Sequence, residues 1–545
     1  MKLRGRTALN RDTSTLRPFK YAAFTVVWTA TVVSNIGGWM QSAAAGWLMT
    51  TLDADPRTVA MVQVATLLPM FLLGLPAGAL ADILDRRRLL LVVETIQMFL
   101  IGALAWLVAL HRVTVIDLLV FTFLQGVASA LVSPTWQAIV PQLVGPEDLS
   151  PAVALNSAGI NISRAVGPAL TGLVIAWWGM SSPFWIDSAS GIGVIAALFW
   201  WRAGSRTSRT LPPERFGSAI LVGLRHACYN PRLQATLVRA TGFFTFAAAY
   251  WALLPLVAKN RIAGSAGLYG LLLGVIGAGA VVGAFTLPRI RMRLGTDGLI
   301  TLGTLGTALA LFLFGAARRP AVAFVASALA GVSWIIVVAT LNVSAQMALP
   351  GWVRGRGLAT YATVLFGAMT LGSLVWGQIA SLLSLSAAHY LAAAGVLLAV
   401  PLLQRWKLQS GALVDLSPSM HWPEPVVAAK VDDDRGPVLV TLEYHIAAEN
   451  RDAFLHAMRR IEAERKRDGA YRWGIFEDTS VGGRWLETFL VDSWIEHQRQ
   501  HRRVTNADRL TETEVRRFQT GGAPKVTHYI APETDSDRPS KVSTS

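Results

Sequence analysis

The run GALADILDRRRLLL, Gly78 to Leu91, sets two aspartates and three consecutive arginines between two apolar stretches, at about 57–81 and 88–110. Each stretch is long enough to cross a hydrocarbon core at about 1.5 Å of rise per residue. The charged run therefore reads as a tight turn between two membrane spans. Working outward from it, apolar stretches recur at about 21–50, 57–81, 88–110, 115–138, 152–178, 183–202, 233–258, 267–288, 297–316, 320–347, 356–383 and 387–404, which predicts twelve helices. Composition agrees, since 53% of the 545 residues are hydrophobic and only 15% charged, against about 25% charged in soluble domains.

A net charge of +15 would suit a nucleic-acid binder, but the basic residues fall in short clusters between apolar stretches. One side of the array collects Lys2 to Lys20, Arg86 to Arg88, Arg202 to Arg215, Arg289 to Arg293, Arg354, Arg356, Arg405 and Lys407; the other has Arg57, Arg112, Lys259, Arg261, Arg318 and Arg319. The excess marks the cytoplasmic side. Basicity here is topology, with no nucleic-acid partner. Both termini are expected in the cytoplasm of a multi-pass plasma (inner) membrane protein. The first stretch is about twice the length of a signal peptide's apolar region and is expected to stay attached. The single cysteine, Cys228, excludes an intrachain disulfide and a cysteine-based metal site. Gly-Lys never occurs, so no phosphate-binding loop for ATP is present.

The expected organisation is a basic N-terminus (1–20), a six-helix bundle (21–202), a polar link (203–232), a second six-helix bundle (233–407), a linker (408–435), an α+β domain (436–531) and a disordered tail (532–545). In the link Phe216, Ile220, Leu224 and Cys228 recur every four residues, which predicts an amphipathic helix at the membrane surface. The two bundles carry similar segments: SPTWQAIVPQLV (133–144) and NVSAQMALPGWV (342–353) share the Gln137/Pro141 and Gln346/Pro350 spacing, and Gly167/Gly172 are spaced like Gly372/Gly377. Duplicated halves predict such matches. After 436, VLVTLEYHI, NRDAFLHAMRRIEAERKRDG, YRWGIFED, RWLETFLVD, SWIEHQRQHRRVTNADRLTETEVRRFQT and KVTHYI read as strand, helix, strand, strand, helix and strand. That order describes a ferredoxin-like module.

Ionisable groups inside spans are rare, and their desolvation makes them functional candidates. Arg164 lies mid-span in NISRAVGPALTG (161–172) and must face a polar cavity or a partner; Gly167, Pro168 and Gly172 thin and bend the same helix. Glu94, in the third span, and Asp187, about a turn into the sixth, are the proton-coupling candidates together with Arg164. Polar and aromatic positions that would line a substrate cavity are Asn35, Trp39, Gln41, Gln63, Gln97, Gln125, Asn161 and Trp251, with Trp136 and Trp334 as further walls. In the last domain His497 and His501 stand four apart on one helix face; without a third ligand in register, that pair reads as a solvated face, and no metal or cofactor is expected.

The Gly78–Leu91 turn, the SNIGGWMQ start of the first span (34–41) and NISRAVGPALTG resemble the major facilitator superfamily over about 400 residues, and within it the exporter branch that includes the enterobactin exporter. The resemblance implies two six-helix bundles and proton-driven export of a hydrophobic or amphipathic small molecule, such as a drug or siderophore, by alternating access. It makes Gly78, Asp82, Asp85, Arg86, Arg87 and Arg88 a gating turn, although Ile83 stands where the family usually has a basic residue and Asp85 where it has glycine. The counterpart GAFTLPRIRMRLG (283–295) has no acid at Leu287. The 436–531 region resembles the antibiotic-biosynthesis-monooxygenase-like ferredoxin folds, which implies a regulatory or dimerising module and a homodimer through it. Uptake by the same fold, and a membrane-tethered enzyme or sensor, stay open as alternatives to export.

Overall fold

The computed structural model describes residues 16–201, 223–408, 415–422, 427, 431–432 and 435–532. The basic N-terminus up to 15, the link with Phe216 and Ile220, and the tail from 533 lie outside the described residues. The chain is mostly helical: α1 (Ala22–Leu52), α2 (Pro56–Ile83), α3 (Arg86–Ala109), α4 (Val115–Leu143), α5 (Leu149–Trp178), α6 (Ser182–Trp200), α7 (Pro231–Leu256), α8 (Ala266–Ala316), α9 (Pro320–Met347), α10 (Arg354–Leu382) and α11 (Leu385–Leu403). Among the described residues ten helices are long and apolar enough to cross a membrane. The 51-residue α8 is interrupted at Gly295, whose φ of 66° suits glycine, between the two apolar stretches that the sequence separates.

Turn chemistry sets the helix starts. Asp55 accepts the Arg57 amide at 2.9 Å, Asp85 accepts the Arg88 amide at 2.8 Å, and Thr114 with Asp117 forms a reciprocal capping box on α4. Asp85 thus replaces the expected glycine with a helix cap.

Compact packing divides the described residues into two units, one within 16–201, 238–341 and 362–406, the other within 223–237, 342–361 and 407–532. In the first unit the seams between the two sets of helices are built from residues without bulk. A Cβ on Gly277 would stand 2.6 Å from the Ala165 Cα, and one on Gly270 2.6 Å from the Pro168 carbonyl, so α5 and α8 touch backbone to backbone. α2 and α10 meet likewise, Gly377 against Ala60 and Gly367 against the Phe71 ring. Lipid tails are as apolar as leucine, so such close contact, with interhelical hydrogen bonds, is what holds helices together in a bilayer.

The second unit carries a four-stranded antiparallel sheet, β1 (Val438–His445), β2 (Tyr471–Glu477), β3 (Arg484–Val491) and β4 (Lys525–Ile530), in the order β2-β3-β1-β4. Tyr444 points from β1 to a core shared with Phe454 and Ile461 of α12 (Arg451–Arg467), and Val438 and Val440 to one shared with Phe489 and Trp494. Helical periodicity predicts one helix over 493–520. Two form, α13 (Trp494–Arg503) and α14 (Asn506–Arg516), because Thr505 takes an extended backbone and caps α14 reciprocally with Asp508. Beneath the sheet lies a buried charge network. Arg465 pairs with Glu487 at 3.2 Å and Glu512 at 2.9 Å; the Tyr444 hydroxyl donates to Glu487, and the Trp422 indole to Glu512. The same unit joins the module to the start of α7 and the α9–α10 turn: the Trp352 ring lies under the Arg503 guanidinium at 4.5 Å and against His226, and Asn230 donates to the Ala348 carbonyl at 2.8 Å.

Two expectations follow. Gly277→Leu should force α5 and α8 apart, at a cost of about 1–3 kcal/mol, read as a lower unfolding temperature of the purified protein, whereas Gly482→Leu, whose Cβ would meet nothing, should leave it unchanged. Burial, then the Asp508 charge, pushes the Glu464 carboxyl up to about 8 from an ordinary 4.5. The folded state therefore holds a proton that the unfolded chain releases, and the stability this contributes is full below about 4.5 and lost as pH rises through about 8. Glu464→Gln should match wild type at the acid end and unfold at a higher temperature above pH 8.

Candidate functional site

α1, α3 and α6 bring together the acids that the sequence singled out separately. Asp187 of α6 is buried, and its Cα and Oδ1 stand against Gly37 of α1: a Cβ there would be 3.0 Å from each, and 3.0 Å from the Ser190 Oγ. Gly37 is therefore what lets α1 lie over this carboxylate. The Asp187 Oδ2 is buried without a hydrogen-bond partner among the described residues, and Glu94 lies one turn before Met98 on α3, the helix that packs on α6 here. α3 and α6 are held in register beside the pair by Ser188, whose hydroxyl donates to the Met98 carbonyl at 2.9 Å.

Arg164 takes a different place. Its guanidinium lies over the Trp39 ring, 5.2 Å from the centroid, and its Nε is buried with no partner among the described residues. Trp39 is positioned for this by Gly167, at which a Cβ would come within 2.6 Å of the Trp39 Cβ. Arg164 and Trp39 thus form one α5–α1 pair, and Glu94 and Asp187 another across α3 and α6. Gly172 packs on Gly267 of α8, so the bend residues Gly167, Pro168 and Gly172 serve both seams of α5.

The cavity candidates divide. Asn35, Gln63, Gln97 and Gln125 are half-buried, Gln41 is buried, and Asn161 is exposed and bonded back to the Ser157 carbonyl at 2.8 Å. Trp251 meets Trp334 edge to face at 5.4 Å in an aromatic cluster with Phe243, Phe244 and Tyr250. Trp136 shares a concavity with Phe24, Trp28 and Asn156.

At the arginine-rich turn, Arg87 donates to the last carbonyls of α6, Leu198 at 2.7 Å and Phe199 at 2.9 Å, and Arg86 donates to Ala138 of α4 at 3.2 Å. Cations at helix C-termini satisfy carbonyls that have no partner in the helix. Arg88 is exposed. A Cβ on Gly78 would meet no atom within 4 Å, and the Asp82 side chain lies outside the described residues.

Two charge clusters escaped the sequence reading. Asp148, buried at the start of α5, is held by Arg17 at 3.2 Å, Lys20 at 2.7 Å and the Tyr21 hydroxyl at 3.0 Å. In the second half the acid missing at Leu287 is found past the Gly295 break: Asp297 pairs with the buried Arg239 of α7 at 3.0 Å, and Arg239 also donates to the Trp406 carbonyl at 3.0 Å. The signal was a lone aspartate beside a glycine turn, matched to a lone arginine in an apolar stretch.

A family profile described as transmembrane secretion effector matches residues 13–536 and so runs through the helices and the module alike. The chain is 25% identical over 292 residues to the staphyloferrin A transporter of Staphylococcus aureus, covering 52% of this chain and 69% of that one. It is 24% identical over 375 residues to the multidrug efflux pump Tap of Mycolicibacterium fortuitum, covering 66% and 89%, and 28% identical over 318 residues to the enterobactin exporter EntS of Escherichia coli O1:K1, covering 56% and 74%. In fold it is similar to a POT family transporter in complex with 5-aminolevulinic acid (TM-score 0.57, 12% identity, 70% of this chain and 95% of that one). A bacterial homologue of the human lysosomal transporter Spinster, inward-facing and unoccupied, is similar too (TM-score 0.54, 14% identity, 72% and 96%). With a membrane-helix fold shared with transporters and a profile spanning nearly its whole length, the chain belongs to the transmembrane secretion effector family, multi-pass transporters of the major facilitator superfamily.

Proposed function

We propose that this transporter exports a hydrophobic or amphipathic small molecule, of the drug or siderophore kind that the relatives' names carry, in exchange for protons. The observation that supports this best is the placing of Glu94 and Asp187 on one α3–α6 seam, with the Asp187 Oδ2 buried without a hydrogen-bond partner among the described residues. Two such groups away from water are a site that takes up and releases a proton as its exposure changes. Arg164 on Trp39 offers, one helix away, a cation and an aromatic wall to a ligand with anionic or π character. Ligand and proton would then bias the same helices, α1, α5 and α6, between two arrangements.

The proposal includes twelve spans, with α8 counted as two across Gly295, and six on each side of the residue 201–230 link. It puts the arginine-rich turns and both termini in the cytoplasm of an inner-membrane protein. The strand order β2-β3-β1-β4 with helices on one face supports a ferredoxin-like module. Pairing of two modules into a homodimer is supported by Phe476, Leu486 and Tyr529, exposed on the sheet face away from the helices. The domain limits expected from the sequence, the amphipathic link and the gating role of the Gly78–Arg88 turn are part of the same reading.

In proteoliposomes tested with dyes, macrolides and catechol siderophores, a pH gradient should drive flux of one substrate class. Glu94→Gln and Asp187→Asn should each cut gradient-driven flux at least about tenfold while leaving substrate counterflow without a gradient near wild type. Loss of both activities together would mean a structural role, and unchanged driven flux in both would refute proton coupling here. Arg87→Ala, which frees the α6 carbonyls, should destabilise the protein by about 1 kcal/mol and change the ratio of inward- to outward-facing states measured by cysteine accessibility; an unchanged ratio would show the turn to be an anchor only.

A further inference from the structure

The module holds a histidine cluster that the transport reading does not use. His497 and His501, one turn apart on α13, are joined by His528 of β4, and one ring nitrogen of each lies within 4.8 Å of the others. The sequence offered only the first two; the third comes from 27 residues further along the chain, because β4 lies in register with β1, His528 beside Val440, on the sheet face that α13 covers. The expected solvated face is also not what forms. His497 is 1% exposed, and His501 and His528 are partly buried.

We propose that His497, His501 and His528 bind a divalent transition-metal ion of the zinc class, with a fourth position open to water or a solute. The His497 and His501 Nε2 atoms are 3.3 Å apart. Tetrahedral zinc with bonds of about 2.0–2.1 Å sets its ligand nitrogens about 3.3 Å apart, so this edge of a coordination tetrahedron is already built, and the third nitrogen closes onto it by a small ring movement. Ring orientation has outer support: the His497 Nδ1 faces the Oε1 of the buried Gln500 at 3.4 Å, which turns Nε2 toward the cluster. Trp494 lies against His497 and His528, and Trp422 edge-on to His501 at 5.2 Å, so apolar walls limit water around the site.

Electrostatics permit a cation. Arg465, the nearby positive charge, is paired with both Glu487 and Glu512, and Glu512 is also met by His421 at 2.8 Å and Arg516 at 3.8 Å. Three protein nitrogens with a vacant position is the pattern of sites where the metal meets a ligand, unlike closed structural sites.

The test uses the full-length chain in detergent, stripped with chelator and titrated with Co²⁺ and then Zn²⁺. Wild type should take up a single equivalent of Co²⁺ with the strong visible bands of tetrahedral coordination, lose them to Zn²⁺, and unfold at a higher temperature with Zn²⁺ than without. His501→Gln and His528→Gln should each weaken binding at least about a hundredfold, and Gln500→Leu about ten- to a hundredfold, while His445→Gln, on an exposed strand end, changes nothing. Variants are compared where the metal-free unfolding temperature matches wild type. No bound ion in wild type, only the pale spectrum of octahedral Co²⁺, or binding that survives His528→Gln would overturn the proposal and leave a structural histidine cluster.

Discussion

Helices in a bilayer gain nothing by hiding apolar surface from one another, so they associate through interhelical hydrogen bonds and through close packing, which is tightest where backbones can meet. In this transporter that constraint fixes where bulk is absent: Gly270 and Gly277 of α8 against Pro168 and Ala165 of α5, Gly377 of α10 against Ala60 of α2, and Gly37 of α1 against Asp187 of α6. The first two seams join the two sets of helices, and the third brings α1 over a buried acid. The site depends on them, because a side chain at Gly37 or Gly167 would displace Asp187 or Trp39 directly.

Around those seams, charge is placed economically. At the arginine-rich end of the first set, Arg86 and Arg87 satisfy helix carbonyls, and Asp148 gathers Arg17, Lys20 and Tyr21. The second set repeats the idea with different residues, Arg239 holding Asp297 and the Trp406 carbonyl. Each set thus ties a charged pair to its neighbouring backbone, with a different helix donating the cation. Deeper in the first set the Asp187 Oδ2 has no hydrogen-bond partner among the described residues, which separates it from the anchoring charges.

Much of this was legible in the chain because lipid imposes its own grammar. Apolar stretches, arginine clusters and the Gly167–Pro168 bend could be read from length and charge alone, and so could the rarity of Glu94, Asp187 and Arg164 inside spans. Pairing was not legible. The sequence grouped Arg164 with the acids, whereas the fold stacks it on Trp39, since which faces of α1, α3, α5 and α6 meet is decided by glycine contacts between distant segments. The same limit hid Asp297 and His528, each completed by a partner that lies far along the chain. By contrast, the split of the expected last helix at Thr505 was encoded locally, in a Thr-x-x-Asp capping box that helical periodicity masked.

The central claim is that the two sets of helices part and close at the end opposite the arginine-rich turns during each cycle. Cysteines at Ala60 and Gly377, introduced with Cys228→Ser, face each other across α2 and α10 at that end with Cβ atoms 2.6 Å apart, so a disulfide forms once the helices ease apart by about 1 Å. Transport should stop when the bond forms and return when it is reduced, with cross-linking scored on the same sample by gel mobility. Wild-type flux through fully cross-linked protein would contradict alternating access of these two halves.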